Sequence, residues 1–153
     1  MKKIALLLTL PLFVNAQIRG KVINVHDGDT FTLLTDDSRI IKIRLHAIDC
    51  PELAQPFGDV AKERVKGLIL GKEVYIDSVT TDKYKRVVSV AYMYGNYPLN
   101  EQLLIEGLAW HYKKYDKTKR LARYENKARK KRIGLWSTDA ISPEQFRHSK
   151  PIQ

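Results

Sequence analysis

Between Arg19 and Leu45 the chain sets three short β-branched runs against two aspartate-rich turns, which commits its first half to a β-meander. Arg19 to Val25 alternates polar and apolar residues, with Val22, Ile23 and Val25 as bulk. His26-Asp27-Gly28-Asp29-Thr30 turns the chain, and Phe31 to Leu34 leaves as a second strand. After Asp36-Asp37-Ser38, Arg39 to Leu45 forms a third strand with Ile41, Ile43 and Leu45 on one face.

Helical spacing follows over Asp59 to Leu70, with Val60, Ala61, Arg64, Val65, Leu68 and Ile69 near one stripe and Gly71 as the stop. Two further strands, Glu73 to Val79 and Val87 to Tyr94, flank the polar turn Thr80 to Arg86. A second helix spans Leu99 to Glu106, with Leu99, Leu103 and Ile105 inward and Gly107 after it. The third runs from about Arg120 to Arg132, with Leu121, Tyr124, Glu125 and Ala128 on one side. Five short strands with helices after the third and fifth predict a β-barrel with helices in the α+β class: an OB-like, five-stranded, partly open barrel with three helices. The polar stretch 138–153 carries Pro143 and Pro151 and is expected to be a loosely held tail.

The N-terminus predicts export. Lys2 and Lys3 precede the apolar run Ile4 to Val14, and Val14-Asn15-Ala16 offers a small-residue cleavage pattern, so 1–16 is expected to be a secretory signal peptide cut before Gln17. The run is too short to span a bilayer, and Pro11 argues against a buried strand. The full chain carries 27 Lys and Arg against 17 Asp and Glu, a net +10 that points to a polyanionic partner. Cys50 is the one cysteine, so no internal disulfide staples the domain. No histidine is placed to form a recognisable dyad with it, and a small buried role is expected.

Chemistry concentrates in Ile43 to Glu52, IRLHAIDCPE. Arg44 and Asp49 are five apart, so on a continuous strand they would face opposite ways unless the strand ends or bulges between them. Pro51 has no amide to give a sheet, which favours a strand that breaks into a loop and carries Asp49 and Glu52 to its rim. With Asp27 and Asp29 these acids sit at loop ends that can converge at one barrel mouth, where oxygen donors without His or Cys suit calcium or magnesium better than zinc. Arg44 and Arg86 could then neutralise phosphate oxygens. DGDT is also an ordinary turn, and the charges at the strand end could simply be solvated.

DGDT at Asp27 to Thr30, RLHAIDCPE at Arg44 to Glu52 and TDKYKR at Thr81 to Arg86, with EGLAW at Glu106 to Trp110 and GLWS at Gly134 to Ser137, resemble the staphylococcal nuclease family in order and approximate spacing. The likeness spans 19–137, so 17–137 is expected to be one nuclease domain. The resemblance implies a calcium-dependent enzyme that hydrolyses DNA and RNA to products ending in a 3′-phosphate. It implies Asp29 and Asp49 as carboxylate ligands of one Ca²⁺ ion, with the main-chain carbonyl of Cys50 as a further ligand. Glu52 would orient or deprotonate the attacking water, and Arg44 and Arg86 would bind phosphate. Lys85 departs from the pattern, standing where many members carry glycine. The segment between Glu52 and the first helix is also shorter than in the best-known member.

Tyr84, with Lys83 beside it, lies within a matched motif and is expected to bind substrate; Tyr112 and Tyr115 could stack on bases or pack. Trp110 and Trp136 are expected in the core. Lys113 to Arg132 holds eleven basic residues and two acids, either a solvated helix face or a surface that steers nucleic acid. Together these features predict a monomeric enzyme, periplasmic or extracellular, acting on DNA and RNA without stable membrane association once the signal is removed. Two rivals are a non-catalytic OB-fold nucleic-acid-binding protein, expected to lack one or more of the five motif side chains, and a basic protein binding anionic lipid or glycan, expected to carry an amphipathic helix with an aromatic edge.

Overall fold

The computed structural model describes residues 17–149; the expected signal peptide lies outside them. In chain order the elements are β1 (Ile18–Val25), β2 (Thr30–Thr35), β3 (Ile40–Leu45), β4 (Ile48–Asp49), α1 (Gly58–Ile69), β5 (Glu73–Thr81), β6 (Val87–Met93), β7 (Tyr97–Pro98), α2 (Leu99–Ile105), β8 (Trp110–His111), α3 (Lys119–Lys130), a 3₁₀ turn (Gly134–Ser137) and α4 (Pro143–Ser149).

The five long strands form the expected OB-type barrel. β1 pairs antiparallel with β2 and β5, β2 with β3, and β5 with β6. The seam closes by parallel pairing of β3 with β6, Ile43 opposite Val87 and Leu45 opposite Ser89. Closure removes the sheet edges that an open barrel would expose. Inside lie Val22, Phe31, Leu33, Ile43, Val74 and Ile76, all fully buried. Strict alternation along β1 would place Val25 outside. A bulge between Val22 and Asn24 shifts the register and returns it to the core.

α1 buries Ala61, Val65 and Ile69 against the barrel, while Val60, expected on the inner stripe, faces solvent. Leu70 leaves the helix in an extended conformation, and Gly71 at φ 75° follows in a turn closed by the Lys72 amide on Ile69 O at 3.0 Å. α2 buries Leu99, Leu103 and Leu104; Ile105, expected inward, is exposed at the helix end. α3 turns Leu121, Glu125 and Ala128 inward, with Tyr124 partly buried beside them. Trp110 is buried and meets Trp136 edge to face at 5.1 Å.

The stretch expected to be a loosely held tail contains a fourth helix. Ser142 and Gln145 build a reciprocal cap: the Ser142 amide donates to Gln145 Oε1 at 3.0 Å and the Gln145 amide to Ser142 Oγ at 3.3 Å. Pro143 opens the helix, where its missing N–H costs nothing, and is itself buried. Apolar periodicity did not announce this helix because its seven residues carry only Pro143 and Phe146 as apolar positions.

Candidate active site

The site starts from the way β3 ends. The strand stops at Leu45, before Pro51 is reached, because Ala47 takes a left-handed φ of 64° and turns the chain. Two backbone partners and one side-chain amide hold the turn. The His46 amide donates to Ser89 O at 2.7 Å, Asn100 Nδ2 donates to His46 O at 2.7 Å, and the Tyr112 amide donates to Ala47 O at 2.8 Å. Ile48 and Asp49 then pair with His111 and Trp110, so the EGLAW segment serves as a backbone clamp on Asp49.

The turn brings Asp49 back onto Arg44. Arg44 Nη2 donates to Asp49 Oδ1 at 2.9 Å, Arg44 Nε lies 3.1 Å from Asp29 Oδ1, and Nη1 donates to the carbonyls of Leu45 and Ile48 at 2.7 and 2.9 Å. The two carbonyls orient the guanidinium, and the two carboxylates hold its charge. Burial alone would lower the Arg44 pKa, but Asp29 and Asp49 outweigh it and raise the value.

Asp29 comes from the β1–β2 turn. Its amide donates to Asp27 Oδ1 at 2.9 Å, an Asx turn that shapes DGDT, and its Oδ2 accepts the Cys50 amide at 2.8 Å. Gly28 permits this approach: a Cβ there would lie 2.7 Å from Cys50 Cβ. Cys50 is buried, and burial pushes its thiol well above the ordinary value, so it is no nucleophile. Burial and the Asp29 charge raise the Asp27 carboxyl to about 6. Asp49 is raised as well, by burial first and then by Asp29 against the opposing pull of the arginines. Both shifts come first from burial, with the Asp29 charge adding to them.

A cleft of about 820 Å³ opens over this group, lined by Asp29, Arg44, Asp49, Cys50, Glu52 and Arg86. Lys83, Tyr84, Tyr112 and Tyr115 line the same cleft, so the structure brings together every side chain singled out above. The Glu52 amide is fixed by Gln55 Oε1 at 2.8 Å. Arg86 is aimed by Asp82, whose Oδ2 accepts Nε at 2.8 Å and whose Oδ1 accepts the amides of Tyr84 and Arg86. Lys85 sits in this loop at φ 62°, the conformation for which glycine is usual. Tyr84 is exposed, its ring 5.5 Å from the Arg86 guanidinium and 5.0 Å from the Lys83 ammonium. Tyr112 and Tyr115 meet edge to face at 4.8 Å.

Sequence reasoning missed two site residues. Asp82 was read as part of a polar turn, although its fourfold spacing from Arg86 was a signal. Arg147 carried none. From α4, its Nη2 donates to Asp49 Oδ2 at 3.0 Å and its Nη1 to Glu52 Oε1 at 2.6 Å.

The staphylococcal nuclease homologue family model matches residues 42–138. A Shigella flexneri protein named micrococcal nuclease is 34% identical over 157 aligned residues, covering 95% of this chain and 88% of its own length. Proteins named uncharacterized endonuclease from Haemophilus influenzae and Escherichia coli are each 35% identical, covering 86% and 88% of this chain and 74% and 88% of their own lengths.

The chain belongs to the staphylococcal nuclease family. It is a phosphodiester-cleaving nuclease, and nucleic acid is its substrate. The family match begins at residue 42, beyond DGDT. Asp29 nonetheless reaches Arg44 and Cys50 across the barrel mouth.

Proposed function

We propose that the protein is an exported, calcium-dependent nuclease that hydrolyses DNA and RNA by attack of water and leaves 3′-phosphate ends. The observation that carries this reading is the Asp29–Arg44–Asp49 bridge, set in one cleft with Glu52 and Arg86.

The donor set fits a hard cation. Asp29 and Asp49 meet on one guanidinium, offer oxygen alone, and lie beside Asp27, whose carboxyl is raised to about 6 by burial and by the Asp29 charge. Among the described residues no three His, Cys, Asp or Glu side chains stand as a ready-made cage. Asp29, Asp49 and the Cys50 carbonyl would therefore hold one calcium ion together with water. When bound, the ion supplies positive charge that polarises a phosphoryl oxygen.

Each chain residue then has a defined task. Glu52 takes a proton from the attacking water as its oxygen bonds to phosphorus. The bond from phosphorus to the 5′ oxygen breaks, that oxygen takes a proton from solvent water to leave a 5′-hydroxyl, Glu52 returns its proton to solvent, and the phosphate stays on the 3′ side. Arg44 and Arg86 donate hydrogen bonds to the non-bridging oxygens, strongest as charge builds in the transition state. Tyr84, Tyr112 and Tyr115 offer stacking faces to neighbouring bases, with Lys83 on the phosphate backbone.

The pattern at 1–16 supports export, and no helix among the described residues is long and apolar enough to cross a membrane. The test is cleavage of DNA and RNA by the purified mature protein with calcium, magnesium or chelator, followed by end-group analysis. Cleavage of both polymers with calcium, lost in chelator and leaving 3′-phosphates, is expected. Absence of cleavage with every metal would sink the proposal.

A further inference from the structure

Every oxygen of Asp49 is taken in this structure, Oδ1 by Arg44 and Oδ2 by Arg147. Arg147 also holds Glu52, the residue assigned to the attacking water. One side chain from the last helix thus spans a cation ligand and the proton acceptor at once. We infer that Arg147 is an internal cation that blocks the site, and that a divalent ion binding at Asp49 must displace it. The inference rests on the calcium reading above.

The two arginines on Asp49 are not equally easy to move. Arg44 lies within the barrel wall, its side chain 13% exposed and tied to two backbone carbonyls. Arg147 is 43% exposed, and its second partner Glu52 is 41% exposed. Water screens that half of the contact, which makes it the weaker of the two. The helix that carries Arg147 is equally suited to release. At seven residues α4 is far below the length at which a helix stands alone in water, so its docking sustains it.

Several of the polar contacts that dock α4 converge on the site. Gln55 Nε2 donates to Ile141 O at 3.2 Å, while Gln55 Oε1 holds the Glu52 amide, so one buried side chain joins the strap to the catalytic loop. Lys114 and Glu144 add a loose ion pair at 3.6 Å. Losing the Arg147 contacts removes the two closest ion pairs of this attachment and leaves the looser Lys114–Glu144 pair. Cation binding and release of α4 become one event. A two-pronged guanidinium on two carboxylates is a geometry that a point charge on lysine does not reproduce, which makes Arg147 specific to the task.

The test is calorimetric titration of the full mature chain with calcium chloride, comparing wild type with Arg147→Ala. The substitution lies on an exposed side chain of the last helix, and far-UV circular dichroism verifies the fold. Removing the competitor should tighten calcium binding by about 3- to 10-fold, the range expected of a half-exposed, charge-assisted pair. Hydrogen exchange supplies a second readout: calcium should speed exchange of the α4 amides in wild type, while in Arg147→Ala they should exchange fast with or without it. Equal affinity in the two proteins, or weaker binding by the variant, would overturn the inference and leave the calcium reading standing. Failure of both proteins to bind calcium would overturn both.

Discussion

Arg44 Nη2 meets Asp49 Oδ1 at 2.9 Å although the five-residue spacing would set the two side chains on opposite faces of a continuous strand. The left-handed turn at Ala47 reconciles spacing and contact. It folds one peptide segment back so that Asp49 reaches the Arg44 guanidinium, and Asp29 completes the bridge from the neighbouring turn.

Arg44→Ala therefore removes the counterion of two buried acids and, on the proposed mechanism, a transition-state donor. Turnover on DNA should fall by at least about 10²-fold. Thermal unfolding in chelator should show a loss of about 3 kcal/mol. Added calcium should restore part of that stability but not the turnover, because an ion that binds only the folded form stabilises it by mass action. A variant with intact turnover would separate Arg44 from the chemistry.

Lys85→Gly tests the turn that aims Arg86. A left-handed φ costs a residue with a Cβ about 1–2 kcal/mol, partly offset by the extra freedom that glycine brings to the unfolded chain. The variant should be more stable by about 0.5–1 kcal/mol in a denaturant titration, with unchanged kcat, since Asp82 still holds Arg86. A large loss of turnover would show that Lys85 itself contacts substrate.

Asp27 gives the site a pH signature. Its folded value of about 6 lies above the ordinary 3.8, so the folded state binds the proton more tightly than the unfolded one. Stability from this group is present at low pH, declines as pH rises from about 4 to 6, and is lost above that range. Asp27→Asn keeps an oxygen for the Asp29 amide and removes the penalty. It should be more stable than wild type by about 1–3 kcal/mol at pH 7 in chelator, and near parity at pH 4. A difference that did not change with pH would contradict the assigned cause.

The barrel was legible because β-branched alternation and aspartate turns are local signals, and the strands lie within a few residues of where the alternation puts them. The parallel seam between β3 and β6 was not, since pairing across more than forty residues leaves no local pattern. In α2 the packed position is Leu104 rather than Ile105, adjacent apolar residues that periodicity separates poorly over two turns. The candidate site was legible where its residues lie within motifs, as for Asp29, Arg44, Asp49, Glu52 and Arg86. Arg147 escaped because its partners Asp49 and Glu52 are 98 and 95 residues away, and a short polar helix carries no stripe to reveal its docking.

The central claim is that Glu52 activates the water that cleaves the phosphodiester bond. Glu52→Gln keeps the shape and removes the base, so the most direct measurement is single-turnover cleavage of DNA with calcium, alongside the Kd of the same DNA. A rate lower by about 10²-fold or more, with Kd within about threefold of wild type, is the result predicted. A variant that cleaves at close to the wild-type rate would contradict the account.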